Sequence, residues 1–128
     1  MEFTFKSHYG INGTQFFSPD RSGAVQVAVT NGTGMSFENM SMYFSHHPIG
    51  GGRLLEFDSN NYFLSGHPAF RSIELRAIVP HNVKTMTFAT ALGGKMYFVI
   101  YIVLQERFAD YLQTAQTMID SFQIINKQ

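Results

Sequence analysis

Residues 83–104, VKTMTFATALGGKMYFVIYIVL, decide the fold. Two long runs rich in β-branched and aromatic residues flank Gly93-Gly94. Adjacent glycines supply the two positive φ angles of a type I′ turn at no steric cost, so the stretch reads as a β-hairpin. Met86, Phe88, Phe98, Ile100 and Ile102 are read onto a large apolar face. Lys84, Thr90, Tyr97 and Tyr101 interrupt a clean one-sided alternation, so both faces are at least partly covered. A strand covered on both faces belongs inside a sheet, and Lys95 to Leu104 is placed centrally.

Downstream, Glu106 to Phe122 carries Phe108, Leu112, Ala115, Ile119 and Phe122 at helical spacing. Tyr111 and Met118 widen the stripe, and Asp110, Gln113, Gln116 and Asp120 fall on the opposite face. Burying such a stripe contributes about 1.5–3 kcal/mol per large side chain before entropy, and a sheet is the available partner.

Upstream, Gln15 to Phe17 and Ala24 to Thr30 read as a hairpin around Ser18-Pro19-Asp20. Ser36 is a candidate N-cap for a short helix over residues 37–45, in which Phe37, Met40 and Phe44 recur at helical spacing. Gly50-Gly51-Gly52 gives up backbone order that only a turn or a closely approaching group rewards. Arg53 to Asp58 and Tyr62 to Leu64 are expected as short strands around a Ser59-Asn60-Asn61 turn. Ile73, Leu75, Ala77 and Val79 alternate with polar residues as a strand with one wet face, which Pro80-His81-Asn82 turns. The reading is one α+β domain over residues 1–128.

The chain has nine basic and nine acidic residues and only 14% charged residues. A net charge of zero provides no field to gather phosphate backbones, which argues against a nucleic-acid partner. There is no Cys, which removes disulfides, thiolate metal sites and cysteine nucleophiles together. The longest apolar run, Met96 to Leu104, is far short of the roughly 20 residues of a membrane-spanning helix. Met1 to Lys6 lack the pattern of an export signal, so a signal or anchor would lie outside these residues.

Several stretches in order resemble the PsbP family: Phe16-Phe17-Ser18-Pro19-Asp20, then Leu64 to Phe70 with its Gly66-His67-Pro68-Ala69 strand start, then Gly94-Lys95-Met96-Tyr97. The ending, Met118-Ile119-Asp120-Ser121-Phe122, completes the set. The resemblance covers about residues 15–125. It implies an α-β-α sandwich with a central antiparallel sheet, the C-terminal helix packed on one face, and a non-enzymatic role. Met1 to Thr14 depart from the family's longer opening, so the first hairpin is expected to be truncated, altered or missing.

His46 and His47, with Glu56 or Asp58 nearby in sequence, are the candidate ligands for Zn²⁺ or Mn²⁺. Adjacent side chains rarely converge, and exposed histidines at a helix end are the plainer reading. His8, His67 and His81 stand alone in turn-like contexts and read as surface residues. No nucleophile elbow or zinc-protease helix occurs; a hydrolase-type site would have to assemble His67 with Glu74 or Asp58. Met35, Met42 and Tyr43 are left over from the helical core spacing and, with Arg53, form the candidate partner-binding surface. Asn12, Asn31 and Asn39 each open an N-glycosylation triplet. The leading functional reading is an exported or surface-tethered module that holds a protein partner. The alternative is a metal or small-ligand carrier using His46 and His47.

Overall fold

The computed structural model describes residues 2–6, 12–78 and 80–124. Along the chain come β1 (Glu2–Lys6), β2 (Asn12–Phe17), β3 (Gly23–Asn31), α1 (Phe37–His46), β4 (Arg53–Leu64), β5 (His67–Ile78), β6 (His81–Leu92) and β7 (Lys95–Leu104). A short 3₁₀ turn (Gln105–Arg107) leads into α2 (Phe108–Ser121). The strands form one sheet in the order β1-β2-β3-β7-β6-β5-β4, and every neighbouring pair is antiparallel. β7 is therefore central, as its two covered faces require. His8 and Val79 lie outside the described residues.

Gly93 and Gly94 take φ of 60° and 78°, the left-handed pair that a two-residue hairpin turn needs. The turn sets Leu92 opposite Lys95, so each even residue of β6 faces an odd residue of β7: Phe88 meets Val99 and Met86 meets Tyr101. This corrects the expected apolar face. Met86 and Phe88 join Val99, Tyr101 and Val103 on the α2 side, with Ala115 and Ile119 of the helix. Phe98 is buried on the α1 side with Ala28, Met40, Phe70 and Ala89, and Ile100 packs against that cluster. Two cores, one per face, make the α-β-α sandwich.

At the amino end, β1 pairs with β2, so the first hairpin is present. The expected break at Ser59-Asn60-Asn61 is a bulge inside a continuous β4, where the register shifts between Asp58 and Tyr62. Asp58 absorbs the extra residues: its carboxylate accepts from the Asn60 N–H at 2.8 Å and from Asn61 Nδ2 at 2.8 Å. A side chain thus supplies the local bonds that a turn would have made.

The start of α2 is fastened to the β2–β3 turn. Asp20 accepts from the Ser22 N–H (3.0 Å), from the Ser22 and Ser18 hydroxyls, and from Arg107 Nη2 at 2.7 Å. The Ser22 N–H and hydroxyl lead in holding its carboxyl well below the usual range. Past the helix, the Ile124 N–H donates to Ser65 Oγ at 2.9 Å, tying the tail to the β4–β5 turn.

Candidate functional site

Ser36 caps α1 by accepting from the Asn39 N–H at 3.1 Å. The helix turns Met40 and Ser41 into the sheet, and Phe44 packs against the rings of Phe70 (5.8 Å) and Phe98 (5.9 Å). The residues that this face cannot use point outward: Met42 is 68% and Tyr43 51% exposed. Met35 is half-buried and packs on the same core, so it is not part of that exposed pair. Arg53 is exposed at the start of β4. It lies opposite Leu75, on the sheet face away from α1.

His46 and His47 are both exposed. The His47 ring lies flat on Tyr43 at 4.2 Å, and its Nδ1 is 2.8 Å from the Tyr43 carbonyl oxygen. Among the described residues no three His, Asp or Glu side chains gather as metal ligands would. Glu56 is paired with Arg71, and Asp58 is committed to the bulge. His67 and Glu74 stand seven residues apart on β5, hence on opposite faces and about 23 Å apart. They are not brought together.

Glu74 has a different role. Its side chain is buried on the α1 side, where Oε1 accepts from the Gly50 N–H at 2.7 Å. Arg76 Nη1 donates to the Gly50 carbonyl at 2.9 Å. Burial raises the Glu74 carboxyl above its ordinary range against the opposing pull of Gly50 and Arg76. The glycine run is thus a seat on β5. A Cβ at Gly50 would strike Glu74 Oε1, and one at Gly52 would lie 2.6 Å from the Leu75 carbonyl oxygen.

Three exposed apolar residues escaped the sequence reading: Leu55 (41%), Phe63 (65%) and Ile78 (46%). Phe63 stands between Tyr62 and Leu64, whose side chains enter the α2-side core, so it faces the α1 side opposite Pro68. Met42, Tyr43 and Phe63 therefore all open on one side of the molecule. The apolar run Tyr62-Phe63-Leu64 was the available signal, since a strand must turn its middle residue away from the other two. Of the glycosylation triplets, Asn31 forms an exposed turn, accepting from the Thr33 N–H (3.0 Å) and hydroxyl (2.6 Å). The Asn39 triplet is locked in α1 with Ser41 buried, and the Asn12 side chain lies outside the described residues.

No protein-family model matches the chain. No curated protein matches it either. Solved structures do match at the level of fold. A Pseudomonas aeruginosa protein of unknown function, described as a putative regulator, superposes with a TM-score of 0.72 at 8% identity, over 98% of this chain and 99% of that one. Cyanobacterial PsbP from Synechocystis gives 0.58 at 11% identity, over 97% and 82%. LpqN of Mycobacterium tuberculosis, described as involved in cell envelope biogenesis, gives 0.53 at 12% identity, over 94% and 76%. The chain is therefore similar in fold to PsbP. None of these three descriptions names an enzymatic activity.

Proposed function

We propose that the domain is a non-enzymatic binding module, exported or surface-tethered, that holds a protein partner on the α1 side of its sheet. The observation that carries this reading is the exposure of Met42, Tyr43 and Phe63 on that one side. Large apolar side chains in water lose the hydrophobic stabilisation that a covering partner would return, and aromatic and Met residues are enriched at interface centres. The stacking of His47 on Tyr43 holds one of the three in a fixed pose, which lowers the ordering cost of docking. No described helix is long and apolar enough to cross a membrane, and the cell-envelope role given for LpqN supports an extracytoplasmic setting.

The test is affinity isolation of the tagged protein from its native cells, beside a Tyr43→Ser, Phe63→Ser variant. The reading expects a stoichiometric partner with the wild type that the variant loses while its melting temperature is kept. Recovery of the same partner in the same amount by the variant overturns it.

A further inference from the structure

The helix α2 is narrower than the sheet it covers. On its β4–β5 side a groove of about 550 Å³ opens between helix and strands, floored by Ile73, Met86, Phe108 and Leu112. That volume lies in the usual range for small-molecule sites. The groove gathers Arg71 and its carboxylates at one end and its larger apolar side chains at the other. Arg71 pairs with Phe88 and Ile73 with Met86 across β5 and β6, while Lys84, one step further along, sits over the Phe108 ring at 4.3 Å. The Phe108 end is therefore distant from Arg71. Gln116 and Asp120, two and three turns further along α2, fall at the Arg71 end.

Arg71 is pre-positioned. Its Nη2 donates to Glu56 Oε1 at 2.9 Å, and its guanidinium lies 4.6 Å from the centre of the Tyr62 ring. Tyr62 is itself braced edge-on against Phe88 at 5.5 Å. Among the described residues nothing takes the N–H groups of Nη1. A planar guanidinium fixed on two sides with donors unspent is a ready carboxylate receptor. Glu56 engages Nη2 only and Nε is buried without a partner among the described residues, so the Nη1 N–H groups are the donors left for an incoming carboxylate. The same end carries two carboxylates, Glu56 and Asp120, with Gln116 donating to Asp120 at 2.9 Å.

We propose that this groove binds a zwitterionic α-amino acid with a large apolar side chain. Arg71 takes the carboxylate, Glu56 and Asp120 take the ammonium, and the side chain lies over Ile73, Met86, Phe108 and Leu112. A head carrying both charges answers both signs at the polar end, whereas a simple acid or a simple amine answers one and meets repulsion from the other. This site lies on the face opposite Met42, Tyr43 and Phe63 and stands independently of the partner surface.

Calorimetric titration tests it with L-phenylalanine, 3-phenylpropionate, which lacks the ammonium, and phenethylamine, which lacks the carboxylate. L-Phenylalanine is expected to bind at least about tenfold more tightly than either analogue, each lost charge-assisted contact contributing about that factor. Arg71→Gln should erase the advantage over phenethylamine, and Asp120→Asn should reduce the advantage over phenylpropionate. Because Asp120 is exposed, its variant reads binding free of any folding defect. Equal affinity for all three ligands, undetectable binding of L-phenylalanine, or a preference unchanged by both substitutions overturns the proposal.

Discussion

Replacing Gly50 with Ala adds one methyl group to a loop that looks dispensable in sequence. Two effects oppose each other. No positive φ is required at Gly50, so Ala is conformationally allowed and restricts the unfolded chain, stabilising by about 0.4–1 kcal/mol. Against this, the new Cβ lands on Glu74 Oε1. Glu74 is 2% exposed, and its Oε2 already lacks a partner, so the carboxyl has no better place to go. The contacts at stake are the Gly50 N–H to Glu74 bond and the Arg76 bond to the Gly50 carbonyl. Each involves a charged group and contributes about 1.5–3 kcal/mol. Losing about half of the combined value and subtracting the backbone gain leaves a net cost of about 1.5 kcal/mol. For a domain of this size that is a fall of about 6 °C in Tm. Urea denaturation at pH 7 measures it, with Cm expected to drop at unchanged m. In a Glu74→Ala background the methyl meets no carboxylate, so the same substitution should cost less than about 0.5 kcal/mol, and the difference is the coupling. A Gly50→Ala variant as stable as the wild type, or one equally destabilised in both backgrounds, refutes the seating of the loop on Glu74.

Three further outcomes follow from burial and titration. The raised Glu74 carboxyl keeps its proton longer in the folded state, so wild-type stability should fall as pH rises upward from the ordinary glutamate range; Glu74→Gln, still able to accept from Gly50, should flatten that slope in urea melts. Tyr101, pushed up to about 12 chiefly by burial, donates to the Phe108 carbonyl at 2.8 Å. Its stabilising contribution is complete below about pH 10 and is lost as pH rises toward 12, and Tyr101→Phe should cost about 1 kcal/mol at pH 8 and remove the alkaline decline. Phe70→Ala, at a fully buried site, should cost about 3–5 kcal/mol, whereas Phe63→Ala should change stability by less than about 0.5 kcal/mol; a large loss at Phe63 would contradict the register assigned to β4.

Much of the fold is legible because local chemistry and packing agree. Gly93-Gly94 can be little other than a tight hairpin, and the α2 stripe enters the core through Ala115 and Ile119 as its spacing requires. The faces of β6 and β7 were misread because alternation within each strand says nothing about its phase relative to the next. That phase came from the turn, which pairs Leu92 with Lys95. The break expected at Ser59-Asn60-Asn61 failed because composition cannot distinguish a turn from a bulge held by Asp58. Met42 and Tyr43 were legible as residues that the helical core leaves over. Phe63 was hidden in an apolar run, and the groove at Arg71 brings together residues from β4, β5, β6 and α2, a juxtaposition that only the sheet order creates. Of the adjacent histidines read as candidate metal ligands, His47 stacks its ring on Tyr43, a contact that residue order alone does not reveal.

Site-specific photo-crosslinking in native cells tests whether the α1 side meets a partner. A photoreactive amino acid at position 42 is compared with one at position 106, since Met42 and Glu106 are both exposed but only Met42 belongs to α1. One discrete heavier adduct is expected from position 42, abolished by Tyr43→Ser, and none from position 106. Identical adduct patterns from both positions, or no adduct from position 42, would contradict it.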